Sequence, residues 1–139
     1  FFQIYIFLLI AAIFGISLPT SGVLLIIPAI FMCGFLLSSL GLCITLYARQ
    51  IENFAGIMNF VVFPMFFLSS ALYPLWKLRE TGSEALFQIC LFNPFTHVVE
   101  LLRFSAYSKF NLPSASIILI LSIFLFLIAT NGYKTFRRI

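Results

Sequence analysis

The sequence predicts an all-α, polytopic membrane protein with four transmembrane helices and a re-entrant or interfacial helix pair before the last one. Of its 139 residues, 63% are hydrophobic and 9% are charged, whereas a soluble domain carries roughly 25% charged residues. Three long stretches, 1–48, 53–76 and 110–133, contain no charged residue. A helix that crosses the hydrocarbon core needs about 20 apolar residues, and unpaired backbone groups are very costly in lipid. We therefore expect these stretches to supply membrane-spanning helices.

The first two predicted spans are separated by a cluster of turn-forming residues. The first span covers about residues 1–16, and the segment 17–22, which contains proline, serine and glycine, ends it. The second span covers about residues 23–47, with Pro28 near its predicted start, where a proline disturbs a helix least. Small residues in this span form a stripe: Gly34, Ser38, Ser39 and Gly41. Such a stripe suits close packing between helices in lipid and offers a surface for dimerisation.

The third and fourth predicted spans follow a short polar link. The link occupies residues 49–52, the third span covers about residues 54–73, and the fourth covers about residues 114–133. Ser114 directly follows Pro113 and is the predicted N-cap of the last helix, because a serine hydroxyl can accept a hydrogen bond from the first turn.

Two short helices are predicted between the third and fourth spans, at about residues 83–92 and 93–107. Ser83 and Asn93 are their predicted N-caps, and Pro94 is favoured at the first position of the second helix. Neither helix is long enough to cross the bilayer alone. They suit a re-entrant or interfacial pair, which is tolerated where protein or water covers the polar face.

The second short helix is predicted to be amphipathic. Its apolar side carries Phe95, Val98, Val99, Leu102 and Ala106, and its polar side carries Thr96, Glu100, Arg103 and Tyr107. The simplest interpretation of Glu100 and Arg103, one turn apart, is an intrahelical ion pair. Charges at membrane depth are also functional candidates by default. The four polar residues are therefore candidate gating or exit-side residues.

Charge alone barely distinguishes the two orientations of the chain. With an even number of spans, the link at Arg49 lies on the same side as the basic end of the chain, which contains Lys134, Arg137 and Arg138. The other side receives Lys77, Arg79, Arg103 and Lys109. Counting lysines and arginines gives no clear excess. The basic cluster at the chain end lies immediately beside a span, which weakly favours a cytoplasmic tail.

Two sequence segments, taken in order, resemble a known permease family. They are SSLGLCITLYARQIENFAGIMNFVVFPMFFLSSALYPL at residues 38–75 and NPFTHVVELLR at residues 93–103, and a final span and a basic tail follow them. This order is similar to the membrane subunit of type-2 ABC exporters. The resemblance implies that residues 1–138 correspond to the third to sixth of six spanning helices, the C-terminal portion of such a subunit. It also implies that residues 74–109 contain two re-entrant helices on the extracellular side.

The resemblance implies a function, and the sequence departs from the family pattern at two places. It implies a permease without its own catalytic site or cofactor, which forms a homodimer in the bilayer and binds a separate ABC ATPase subunit that holds ATP. It implies outward movement of an amphipathic, lipid-linked or hydrophobic substrate across the cytoplasmic (inner) membrane. Arg49 and Glu52 are then candidates for a secondary cytoplasmic contact. Many members have glycine where Ser70 stands, and a Leu-Pro pair where Leu78-Arg79 stands.

Other function classes find little support in the residue inventory. The chain has no aspartate, one histidine (His97) and no Gly-x-Ser-x-Gly segment, which disfavours the common intramembrane proteases, serine hydrolases and zinc sites. No basic patch with interleaved aromatic residues indicates nucleic-acid binding. The open alternative is a non-ABC membrane scaffold or a channel subunit. A channel needs a continuous polar stripe through a span, and the predicted spans contain only scattered polar residues such as Gln3 and Asn59.

Overall fold

The computed structural model describes residues 2–16, 19–47, 51–80 and 82–136, with the side chains of residues 47, 51, 52, 135 and 136 outside the description. Within these ranges the chain consists of helices joined by turns. The helices are α1 (Phe2–Ile13), α2 (Thr20–Tyr47), α3 (Ile51–Phe67), α4 (Leu75–Glu80), α5 (Glu84–Phe92), α6 (Pro94–Ala106) and α7 (Leu112–Phe136). The all-helical prediction is confirmed for the part of the chain that the structure describes.

Helices α2 and α7 form the main packed pair and run in the same direction. Toward their C-terminal ends, the Thr45 hydroxyl is hydrogen-bonded to the Tyr133 hydroxyl, and the Cys43 thiol donates to the Leu125 carbonyl oxygen (3.0 Å). Toward their N-terminal ends, Ala29 and Ile118 belong to one buried apolar cluster. Because later residues of α2 meet later residues of α7, the two helices are parallel.

Helix α6 packs against both long helices and runs antiparallel to α2. The Cys33 thiol of α2 approaches the Val98 carbonyl oxygen near the start of α6 at 3.9 Å. At the other end, a Cβ atom placed on Gly22 would lie 2.0 Å from the Ala106 carbonyl oxygen. The three helices enclose the apolar core, which contains Ala29, Cys33, Leu36, Val98, Leu101, Ala115 and Ile118. Helix α6 therefore covers the N-terminal half of α2.

Two of the described helices are long and apolar enough to cross a membrane, α2 over Thr20–Leu46 and α7 over Leu112–Lys134. Helices α5 and α6 meet at an angle of 82° and would supply a third crossing if they formed one broken span. Helices α1 and α3 are apolar but shorter, with 12 and 17 residues. The predicted count of four spans therefore stays a prediction.

Helix α3 ends six residues before the predicted end of the third span at Tyr73. The Ser69 hydroxyl donates to the Phe66 carbonyl oxygen (2.6 Å) and accepts a hydrogen bond from the Ala71 amide (3.2 Å). Such local bonds compete with the helical pattern and favour a turn. The chain then enters α4, a helix that the sequence analysis did not predict, with the Pro74 carbonyl oxygen accepting from the amides of Lys77 and Leu78.

The helix caps differ in part from the prediction. Asn93 caps α6 as predicted, since its Oδ1 accepts from the Phe95 amide at 3.0 Å, with Pro94 at the first helical position. Ser83 precedes α5 but its side chain makes no capping hydrogen bond. The prediction for Ser114 was wrong, because α7 begins at Leu112 and the Asn111 Oδ1 accepts from the Ser114 amide (3.3 Å). A proline is tolerated in the first helical turn, so α7 starts before Pro113 rather than after it.

Candidate functional site

Asn93 joins the end of α3 to the start of α6. While its Oδ1 caps α6, its Nδ2 donates to the carbonyl oxygens of Met65 (2.6 Å) and Leu68 (2.9 Å) at the end of α3. The last carbonyl groups of a helix lack partners within that helix. Asn93 is 8% exposed, and one buried side chain therefore satisfies backbone groups of two helices.

A second set of hydrogen bonds connects the turn after α3 to the polar side of α6. The Ser70 amide donates to the Thr96 hydroxyl (3.2 Å), and the Ser70 hydroxyl lies 3.4 Å from the Thr96 carbonyl oxygen. The Arg103 Nη2 donates to the Ser70 carbonyl oxygen (3.0 Å), and its Nη1 forms an ion pair with the Glu100 Oε1 (3.1 Å). We call Ser70, Thr96, Glu100 and Arg103 the polar seam.

The polar seam is buried at Ser70 and Thr96 and partly exposed at Arg103. Ser70 and Thr96 are fully buried, and the side chains of Glu100 and Arg103 are 12% and 36% exposed. Two opposite charges in contact lower the cost of placing either one in an apolar environment. The seam is thus a paired, hydrogen-bonded connection within an otherwise apolar helix assembly.

The candidate site residues predicted from the sequence lie in different surroundings. Thr96, Glu100 and Arg103 meet around Ser70 as described above, and the predicted intrahelical pair is present. Tyr107 is the C-cap residue of α6, is 58% exposed, and lines a surface pocket together with Arg103. Of the candidate cytoplasmic contacts, Arg49 lies outside the described residues, and Glu52 is described only as the second residue of α3.

Two polar residues, one in the seam and one beside it, were not predicted as site residues from the sequence. Ser70 was noted only as a departure from the permease family, although its backbone makes two of the bonds to α6. His97, considered as a metal ligand and as the histidine of a serine hydrolase, has its Nε2 3.0 Å from the Leu91 carbonyl oxygen and its Nδ1 3.5 Å from the Ser114 hydroxyl. No group of three or more possible metal ligands occurs among the residues that the structure describes. Through its two ring nitrogen atoms, His97 of α6 thus contacts both α5 and α7.

The comparison with protein families identifies the chain. A sequence model described as ABC-2 type transporter matches residues 1–107. The match covers more than half of the chain and includes every residue of the polar seam. The chain belongs to the ABC-2 type transporter family.

Among curated proteins, a relative of this ABC-2 family chain is Nodulation protein J of Rhizobium leguminosarum bv. viciae. The two are 34% identical over 77 residues. The aligned part is 55% of this chain and 28% of the relative's length. No solved structure matches the chain.

Membership of the ABC-2 family and the apolar helices make this a membrane protein. The family match ends at residue 107, at the C-cap of α6, so helices α1 to α6 fall within it and α7 follows it. The departure at Ser70 has a simple structural account. The bonds at 3.2 and 3.0 Å use the Ser70 amide and carbonyl groups, which glycine also has, and only the 3.4 Å contact uses the hydroxyl.

Proposed function

We propose that this chain is the C-terminal part of the membrane permease subunit of an ATP-driven exporter. The exporter moves an amphipathic, lipid-linked or hydrophobic substrate outward across the cytoplasmic (inner) membrane. The observation that carries this proposal is the ABC-2 family match over residues 1–107. In this function the chain has no catalytic site and binds no cofactor of its own, and a separate ABC ATPase subunit binds and hydrolyses ATP.

The polar seam and Tyr107 serve as exit-side elements in this proposal. Arg103 donates to the Ser70 carbonyl oxygen in the turn after α3. Asn93, which directly precedes α6, donates to the carbonyl oxygens of Met65 and Leu68 at the end of α3. The two connections attach the end of α3 and the turn after it to both the first and the last turn of α6. Rearrangement of packed units between discrete positions is the usual structural basis of switching. ATP binding on the partner would favour one position of these connected elements over another.

A homodimer is part of the proposal, and the open face of α2 supports it. A Cβ atom placed on Gly34 or Gly41 would meet no atom within 4 Å. Close approach of helices in lipid depends on such small residues. Replacing Gly34 by leucine in the full-length protein should therefore reduce dimerisation, measured by single-molecule photobleaching in liposomes. The matched variant Gly56→Leu, also at an open position in a helix, should leave dimerisation unchanged.

The decisive test is whether the protein binds an ATPase subunit. The full-length protein, purified in mild detergent from its native host, should co-purify with a soluble subunit that carries a P-loop. Reconstituted together, the two should hydrolyse ATP, and the rate should depend on the membrane subunit. A preparation with no nucleotide-binding partner and no ATP hydrolysis would overturn the exporter proposal and favour a membrane scaffold or channel subunit.

A further inference from the structure

A groove lies outside the polar seam, between the end of α3, helix α4 and helix α5. It has a volume of about 820 Å³, within the roughly 300–1,000 Å³ of ligand-sized pockets. Its lining is mainly apolar and aromatic and includes Phe67, Leu72, Tyr73, Trp76 and Leu86. Tyr73 and Trp76 are 50% and 64% exposed. The groove therefore offers an apolar, ligand-sized surface with two partly exposed aromatic side chains in its lining.

The charges around this groove are segregated. Lys77 is the charged side chain among the described residues that line it. Arg79 and Glu84 line a separate pocket of about 410 Å³, together with Leu78, Phe87 and Gln88. The buried Leu78 lies between Lys77 and Arg79 in α4. Helix α4 thus contributes Lys77 to the lining of the apolar groove and Arg79 to the lining of a pocket that also contains a carboxylate.

Tryptophan, tyrosine and lysine at the edge of an apolar surface are typical of the membrane–water interface. Lysine beside an acyl-sized apolar groove complements a lipid that has an anionic headgroup. Helix α4 packs against α5 and no other described helix, so this corner lies at the edge of the helix assembly. A bilayer lipid can reach a groove at that position from the side.

We propose that this groove binds an anionic phospholipid of the bilayer. An acyl chain lies along Phe67, Leu72 and Leu86, and the headgroup phosphate lies at Lys77 beside Trp76. This lipid site does not rest on the proposed transport function, because a resident lipid and a transported substrate are different occupants.

Trp76 provides a local probe, since it is the one tryptophan of this chain. The full-length protein, with any tryptophan outside this chain replaced by phenylalanine, is reconstituted in phosphatidylcholine bilayers. Brominated phosphatidylglycerol or brominated phosphatidylcholine is added at equal mole fraction, and quenching of Trp76 fluorescence reports which lipid contacts the groove. We expect phosphatidylglycerol to be favoured about fivefold, the selectivity that one lysine near an anionic lipid provides.

Two charge variants separate the groove from general surface charge. Lys77→Gln should abolish the preference for phosphatidylglycerol, and the matched variant Arg79→Gln should keep it. Equal quenching by both lipids in the wild type would overturn the proposal, as would equal loss of preference in both variants. If neither lipid quenches Trp76, a protein segment or a second copy covers the groove, and the proposal is wrong. The Trp76 emission maximum and the thermal unfolding midpoint check that the variants stay folded.

Discussion

Asn93 carries two kinds of hydrogen bond at one residue, and the amide group is what makes both possible. Its oxygen accepts from the Phe95 amide, and its nitrogen donates to the Met65 and Leu68 carbonyl oxygens. Aspartate and serine also cap helices well, but neither supplies an NH₂ group. The connection between α3 and α6 therefore depends on asparagine itself.

Replacing Asn93 tests this double role. Asn93→Ala should destabilise the protein by about 2–3 kcal/mol, because it removes an N-cap and leaves two carbonyl groups without a donor. Asn93→Asp should cost at least as much although aspartate is a good N-cap, because a buried carboxylate would face two carbonyl oxygens. The free energy of unfolding in detergent measures both. An aspartate variant as stable as the wild type would show that the bonds to α3 contribute nothing.

Arg103 and Glu100 form one ion pair but do not contribute equally. Arg103→Ala should cost about 1–2 kcal/mol, since it removes bonds to both Glu100 and Ser70. Glu100→Ala should cost less than about 1 kcal/mol, because the pair is partly exposed and Arg103 keeps its bond to Ser70. Arg103→Lys should lose part of the stability that Arg103→Ala loses, since a single ammonium group lacks the forked guanidinium geometry. Thermal unfolding of the three variants checks the order, which a larger effect of Glu100→Ala would contradict.

At these residues, sequence reasoning succeeded where the partner is local. The Asn93 cap and the Glu100–Arg103 pair join residues two and three positions apart, and the sequence alone predicted both. The bonds to Met65, Leu68 and Ser70 span 25 to 33 residues. They depend on where α3 ends, and the Ser69 turn places that end earlier than hydropathy indicates. The direction of the polar side of α6 was predictable, but the groups that meet it were not.

At the scale of helices, the contact between α2 and α6 is set by a glycine. A Cβ atom on Gly22 would lie 2.0 Å from the Ala106 carbonyl oxygen and 2.8 Å from its carbonyl carbon. Backbone atoms cannot move aside as the end of a flexible side chain can. The position of α6 over the N-terminal half of α2 therefore requires that Gly22 carry no side chain.

Gly22→Ala should separate these two helices. We expect a loss of about 1–3 kcal/mol, the usual cost of overpacking a close contact. The matched variant Gly56→Ala lies in helix α3 and meets no atom within 4 Å. It should be neutral or gain up to about 1 kcal/mol, because alanine is the better helix former. Unfolding free energies in detergent compare the two, and an equal response would mean that the approach of α2 to α6 is not tight.

Helix types were easier to predict than helix ends. Two long apolar stretches form helices α2 and α7, as predicted, because an apolar segment in lipid must satisfy its backbone hydrogen bonds within itself. The short helix α4 was missed, since six residues give no clear period. Pro113 was interpreted as lying before α7 although it lies in its first turn, and the cap moved from Ser114 to Asn111 for that reason. Boundaries depend on single side-chain bonds, which a hydropathy pattern does not contain.

For the whole molecule, the parallel packing of α2 and α7 limits the topology of the chain between them. Two parallel spans require an odd number of crossings in the intervening segment. Helix α3 starts at the end where α2 stops, and with 17 residues it extends about 25 Å, against about 42 Å for the 28 residues of α2. Helix α6 packs beside the N-terminal half of α2. One crossing by α3 and a re-entrant α5–α6 pair satisfy the rule, whereas crossings by both do not.

Cysteine labelling tests this topology directly. In the full-length protein with Cys33, Cys43 and Cys90 replaced, Ser83→Cys and Lys109→Cys flank the α5–α6 pair at exposed positions. A re-entrant pair places both on one side, so both should react with an impermeant maleimide added outside intact cells. Cysteine at Gln50, in the link predicted to be cytoplasmic, should react only after permeabilisation.

The pattern of labelling separates the possible arrangements. Reaction of Ser83→Cys and Lys109→Cys from opposite sides would make α5 and α6 a single broken span. Because α2 and α7 are parallel, α3 would then not cross, and the site at Ser70 would lie on the same side as Gln50. Reaction of all three from outside would contradict the crossing by α3. Reaction of both Ser83→Cys and Lys109→Cys only after permeabilisation, with Gln50→Cys labelled in intact cells, would invert the orientation. The polar seam would then be a cytoplasmic connection, and its proposed exit-side role would be lost.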